Sequence, residues 1–162
     1  MSDNAWRDRA ILELHELQLQ DQLAGLEYLK NLPFIDTNRI AVMGFSFGEI
    51  QTILAVERAP GYRVAVDCSG ATQTWKSSSN LRARLTAAAG KATIPVFFLQ
   101  AENDYDLTPN RVLSEEMRKT GQAVETKVYP AFGSGRRDGH GFCVRGAEIW
   151  GPDVLKFIET YK

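Results

Sequence analysis

Short apolar runs alternate with helical patterns along these 162 residues. That places the chain in the α/β class, as a three-layer sandwich around a mostly parallel sheet of about four strands. A second observation is the run Arg39-Ile-Ala-Val-Met. It is apolar and β-branched, and it leads straight into Gly44-Phe45-Ser46-Phe47-Gly48 with helix-compatible residues from Ile50 onward. A third is composition: 44% hydrophobic and 24% charged residues are ordinary for a globular domain with one core.

The elements follow in order. Residues 5–32 are helical in pattern, with Leu19, Leu23, Leu26 and Leu29 on one face and Ile11 and Leu14 extending it upstream. Asn31-Leu-Pro33 ends this helix, because proline disfavours helix in the residue before it. About 26 residues would run roughly 39 Å, more than one sheet crossing needs. The first half is therefore expected to project toward a neighbour or to break into a second helix. Strands are expected at 39–43, 63–68 (entered through Pro60-Gly61), 95–99 and 125–129. Helices are expected between them at 50–58, about 81–89 and 110–121, the last opening with Thr108-Pro109. A final helix is expected at about 153–161, after Gly151-Pro152. The chain reads as one domain over 1–162, a helical segment over 1–32 followed by the core over 33–162.

Composition excludes several classes. Net charge is -1 with no basic block, so nucleic acid is not an expected partner. No apolar run approaches the ~18 residues of a membrane span, and the N-terminus lacks the apolar centre of a signal peptide. The chain is thus expected to be cytoplasmic and free of membrane. Two histidines, His15 and His140, are too few for a protein-built zinc site, and no metal or cofactor is expected. Cys68 and Cys143 form no metal or redox spacing. Each is expected to be a separate buried small hydrophobe rather than half of a disulfide.

Strand, Gly-x-Ser-x-Gly and helix in succession describe a nucleophile elbow, a sharp turn that lifts a serine hydroxyl above the sheet. Ser46 is then expected in strained backbone, and Gly44 and Gly48 are expected because a Cβ at either would clash as the chain folds back. Open parallel sheets bind ligands at the C-terminal ends of their strands. Past the third strand stand Asp104 and Asp106; past the fourth, the glycine-rich stretch 133–141 ends at His140. A serine, a carboxylate and a histidine fall at one edge in the chain order Ser, Asp, His.

The expected roles follow from the chemistry. An unassisted serine hydroxyl is a poor nucleophile, and His140 would take its proton during attack and return it to the leaving group. Asp104 would hold the imidazole tautomer; Asp106 is the alternative acid, or a cap for the following helix. The Phe47 amide, at the start of its helix, would donate to the oxyanion. Asp138 is too near His140 in sequence to face its ring. Glu49 is expected to answer the helix dipole, and Arg136 and Arg137 to lie on a solvated turn unless an anionic substrate engages them. Trp75, past the second strand, either walls an acyl pocket or packs in the core.

These residues are similar to those of the α/β-hydrolase superfamily. The segment from Asp36 to Gly48 resembles its dienelactone-hydrolase-like esterases, as do Gln100-Ala-Glu-Asn-Asp104-Tyr, Asp138-Gly-His140-Gly-Phe142 and Ile149-Trp-Gly-Pro-Asp-Val154. The resemblance runs from about residue 20 to the end and implies Ser46, Asp104 and His140 as nucleophile, acid and base. Dienelactone hydrolases carry cysteine where this chain has Ser46, which implies hydrolysis of small carboxylic esters instead. An amide-cleaving hydrolase and a catalytically weak hydrolase-fold module are the alternatives. The superfamily also places several strands before the elbow strand, whereas here only a helix precedes it. The expected fold is thus a truncated version, with the elbow strand as an apolar edge open to pairing and the loop carrying a second oxyanion donor missing. A homo-oligomer that restores both is the expected assembly.

Overall fold

The computed structural model describes residues 3–58 and 61–161, with side chains from Trp6 onward; the expected strand entry at Pro60 lies outside them. In chain order the elements are α1 (Asp3–Lys30), β1 (Ala41–Phe45), α2 (Phe47–Arg58), β2 (Val64–Cys68), α3 (Ser79–Ala89) and β3 (Val96–Ala101). They continue with α4 (Thr108–Arg118), β4 (Val124–Tyr129), α5 (Arg136–His140), α6 (Phe142–Arg145) and α7 (Ala147–Tyr161). The four strands form one sheet in the order β1-β2-β3-β4, and every pairing is parallel. This is the α/β architecture expected from the alternation of strand and helix.

The two inner strands, β2 and β3, are buried along their whole length, and their hydrophobic residues supply two cores. Ala65, Val96 and Phe98 pack with Leu19, Ile53, Leu54, Leu85 and Leu113 from α1–α4. Val64, Val66, Phe97 and Leu99 pack on the opposite face with Phe142, Val154 and Phe157 from α6 and α7. The alternation of faces along a strand produces this division. The edge strands are more open: Ala41 is exposed and Met43 is 42% exposed in β1, while four consecutive residues of β4 are exposed.

Helix α1 is a single unbroken element that neither projects nor splits. Three sets of polar contacts fasten it to its neighbours. Asp8 accepts hydrogen bonds from Ser78 and Ser79 at the start of α3. Glu16 pairs with Arg84, which also pairs with Glu57 at 2.6 Å. The Gln51 Nε2 amide donates to His15 Nδ1 at 2.8 Å. Leu19 and Leu26 are fully buried beneath it, whereas Leu29, expected on the same face, is 39% exposed near the end of the helix.

Two further expectations are corrected. α7 begins at Ala147, so Pro152 lies inside it; the carbonyl it leaves without a donor belongs to Glu148, an exposed residue in the first turn where water can serve. Cys68 and Cys143 are joined in a disulfide, with Cα atoms 6.0 Å apart and a sequence separation of 75. Both were expected to be separate apolar fillers. They meet because the last residue of β2 faces α6 across the second core, a contact that no local spacing encodes.

Candidate active site

Each strand of the sheet delivers one part of a cluster at its C-terminal end. After β1 comes the elbow. Ser46 has φ 55°, a conformation that is costly for a residue with a Cβ, and its amide donates to the Cys68 carbonyl at 3.1 Å. Gly44 is required there: a Cβ would lie 2.3 Å from the Gly48 carbonyl oxygen and 2.4 Å from Thr52 Oγ1. Gly48 is not, since a Cβ at that position would meet nothing within 4 Å. The expectation of two sterically obligatory glycines is therefore corrected to one, because only the strand side of the turn is overlaid by the helix.

After β3 and β4 come the carboxylate and the imidazole. His140 Nε2 stands 2.9 Å from Ser46 Oγ, and His140 Nδ1 stands 3.0 Å from Asp104 Oδ1. The structure thus brings together the three side chains singled out in the sequence. The Asp104 side chain is fully buried and that of His140 is 12% exposed. Asp104 Oδ1 also accepts the Tyr105 amide at 2.6 Å. The rings of Phe45 and Tyr105 stand near the imidazole, with centroids 5.2 and 5.3 Å away. His140 ends a short helix rather than a loop. Phe47 opens α2, so its amide has no intrahelical acceptor and remains free for an incoming oxygen.

Asn103, unremarked in the sequence, explains how acid and base meet. Its Oδ1 accepts the Phe132 amide at 2.9 Å, and its Nδ2 donates to the Phe132 and Gly135 carbonyls at 3.1 Å each. It thereby binds the loop after β3 to the segment after β4. Gly139 rests on it so closely that a Cβ would lie 2.6 Å from the Asn103 carbonyl oxygen. A second unremarked residue is Thr72, whose Oγ1 lies 3.2 Å from His140 Nδ1.

The remaining candidates separate clearly. Asp106 accepts the Thr108 amide at 2.9 Å and faces Lys76 at 3.4 Å, so it holds the start of α4 and leaves the imidazole to Asp104. Asp138 pairs with Arg145 at 2.9 Å and receives the Ser134 amide. Arg136 and Arg137 are exposed on α5. Trp75 is 6% exposed and belongs to the core that α1–α4 share with the sheet.

Glu49, expected to answer the helix dipole, stands in the first turn of α2. It is fully buried against Asp67, and burial beside a second carboxyl pushes its pKa well above the ordinary value. Burial likewise pushes Asp67 up to about 7. Two carboxyls this close in a dry site oppose each other's ionisation. His15, also unremarked as a functional group, is fully buried with its ring stacked 4.0 Å over that of Phe47; burial lowers its pKa to about 4. It backs the elbow as a neutral ring. No group of three or more His, Cys, Asp or Glu among the described residues could hold a metal ion, and no described helix is long and apolar enough to cross a membrane.

Residues 2–80 match the sequence profile of the prolyl oligopeptidase family. Forty-five residues are 36% identical to a probable dipeptidyl-aminopeptidase B of Metarhizium robertsii, 28% of this chain and 5% of that protein. Among solved structures, an esterase of Pyrococcus furiosus superposes with a TM-score of 0.67 at 20% identity, over 89% of this chain and 62% of that one. Dipeptidyl peptidase 4 of Porphyromonas gingivalis gives 0.67 at 16% identity, over 92% of this chain and 23% of its own. Acylaminoacyl peptidase of Pyrococcus horikoshii gives 0.63 at 18% identity, over 79% and 24%. The chain spans a small part of the peptidases and less than two thirds of the esterase. With its parallel sheet, its strand-to-helix elbow and these likenesses, the chain carries the α/β-hydrolase fold.

Proposed function

We propose that this chain is a serine hydrolase that cleaves small carboxylic esters through an acyl-enzyme, with Ser46 as nucleophile, His140 as base and acid, and Asp104 as orienting carboxylate. The observation that carries the reading is the unbroken line of hydrogen bonds from Ser46 Oγ through the imidazole to Asp104.

Each step follows from that line. Ser46 Oγ attacks the ester carbonyl carbon as its proton passes to His140 Nε2. The carbonyl oxygen gains the charge and faces the free Phe47 amide, where the positive end of the α2 dipole adds stabilisation. Collapse of the intermediate breaks the bond to the alkoxy oxygen, which leaves as the alcohol with the proton from Nε2. Water then attacks the acyl-enzyme, gives its proton to Nε2, and the carboxylic acid departs as Ser46 regains its hydrogen. Asp104 stabilises the imidazolium in both halves. Phe45 and Tyr105 stand near the imidazole, and Phe47 is 43% exposed; together they offer an apolar rim to a small acyl or alkoxy group. No second oxyanion donor is assigned, and a missing donor lowers turnover by about 10²–10³.

Amide or peptide cleavage is the second reading. It is favoured by the prolyl oligopeptidase profile match over the elbow and by the peptidases among the structural likenesses. We also propose self-association at the exposed β1 edge, where unpaired backbone and Met43 face outward.

One experiment addresses all of these. The wild type and Ser46→Ala are treated with a fluorophosphonate, the modified residue is mapped, native mass is recorded, and turnover is compared on a p-nitrophenyl ester and the matched amide. Labelling confined to Ser46, ester turnover lost in Ser46→Ala and a dimeric or larger mass are expected. Ester turnover persisting in Ser46→Ala overturns the mechanism. Absent labelling favours a non-catalytic hydrolase-fold module, faster amide turnover favours the peptidase reading, and a monomer excludes the assembly.

A further inference from the structure

The loop after β2 has no assigned role, yet it is the second strained turn of the molecule. Ser69 and Ala71 both adopt positive φ, 63° and 53°, a conformation that non-glycine residues hold only when their surroundings impose it. Those surroundings are visible. The Ser69 amide donates to the Leu99 carbonyl at 3.1 Å, and its hydroxyl lies 3.2 Å from Cys143 Sγ. Between the two strained residues, the Glu49 carboxyl fills the space that a side chain at Gly70 would need, with a Cβ there 1.5 Å from Glu49 Cδ. On the far side, the Trp75 amide donates to the Ala71 carbonyl at 2.8 Å. The turn is gripped by β3, α6, α2 and its own continuation.

What the turn holds in place is Thr72, 5% exposed, with Oγ1 3.2 Å from His140 Nδ1. The neighbouring acceptor settles the direction of this bond. Asp104, as a carboxylate, only accepts, so Nδ1 carries the proton; Thr72 Oγ1 must then accept that same proton through a lone pair. From this geometry we infer that Thr72 is a positioning residue for His140, sharing the Nδ1 proton with Asp104 in a three-centre hydrogen bond and holding Nε2 bare toward Ser46.

The inference rests on the proposed hydrolase reading for its kinetic consequences but not for its geometry. A second acceptor at Nδ1 does two things. It resists rotation of the ring about its side-chain bonds, and it stabilises the imidazolium that forms when Ser46 loses its proton. The titratable groups that face the ring are Asp104 and, by edge contact, Tyr105; Thr72 adds an acceptor that never changes charge.

The test compares Thr72→Val, which keeps the shape and deletes the acceptor, with Thr72→Ser, which restores it. The low-field Nδ1 proton resonance of His140 is read in the resting protein, and kcat, KM and the pH profile of kcat/KM are read with a p-nitrophenyl ester. In Thr72→Val the resonance should move, kcat should fall about fivefold with KM unchanged, as expected for one hydrogen bond, and the acidic limb of the profile should shift to lower pH. Thr72→Ser should return all three toward wild type. If Thr72→Val does not fold, Thr72→Ala, which leaves space instead of a methyl group, is read in the same way. An unmoved resonance with unchanged kcat and profile overturns the inference, as does a loss that Thr72→Ser fails to recover. Because the resonance needs no turnover, it judges Thr72 even if Ser46→Ala were to retain ester hydrolysis and sink the hydrolase reading.

Discussion

The disulfide between Cys68 and Cys143 encloses α3, β3, α4, β4 and α5, and with them both Asp104 and His140. Breaking it frees a loop of 75 residues. In the chain-entropy description a closed loop of that size removes ~4.5 kcal/mol of conformational freedom from the unfolded chain at 25 °C. Each kcal/mol moves the melting temperature of a domain this large by about 3–4 °C, so the reduced protein should melt roughly 15 °C below the oxidised one. The two states have the same sequence and lose no side-chain atom, which isolates the loop effect from cavity formation. Both cysteines are buried, so reduction requires unfolding in reductant and refolding in its presence, with free thiols counted by alkylation. Calorimetry of the two forms gives the difference directly. A gap of less than about 3 °C would refute the reasoning, because the unfolded chain would then not be constrained by the bridge.

Two other outcomes concern the elbow. Gly44→Ala should destabilise by about 3 kcal/mol through overpacking, whereas Gly48→Ala should be neutral or stabilising by up to about 1 kcal/mol, as an alanine in a helix; equal losses in urea midpoints for the two would contradict the turn geometry. His15 has a folded pKa of about 4 against about 6.5 unfolded, so the unfolded chain takes up a proton that the native state refuses. Its contribution is full above about pH 6.5 and is lost as pH falls toward 4. The cost is about 2 kcal/mol between pH 7 and pH 5. The Glu49–Asp67 pair, with pKa values raised, acts oppositely, gaining stability as pH falls below 7. It does so in wild type and His15→Phe alike, so their difference in urea stability isolates His15; the same acid loss in both proteins would reject the assignment.

Much of this was readable because the decisive signals are local. Strand β1, the elbow and the helix after it are contiguous, and a strained turn leaves its mark in the residues at the turn itself. The order of Ser46, Asp104 and His140 along the chain is enough to place them at one sheet edge once the strands are known to run parallel. What escaped is what depends on contacts between distant segments. Asn103 and Thr72 are ordinary loop residues until the segment after β4 closes on both of them. Glu49 reads as a first-turn helix acid, and only the register of β2 brings Asp67 against it. The cysteine pairing failed for the same reason. Gly48 was misjudged in the other direction: its place in a motif suggested a steric need that the space around it does not impose.

Strand order matches chain order from β1 to β4, so among the four described strands each later one adds on the same side. No later strand has to insert between two earlier ones. A polypeptide leaving the ribosome can therefore lay down each ribbon against a finished neighbour, and it emerges in the sequence Ser46, Thr72, Asp104, His140. The hydroxyl and its acid neighbour are in place before the imidazole arrives, and the last covalent tie, at Cys143, forms only after that. All four side chains of the proposed site are present together only once the segment that carries His140 has been made.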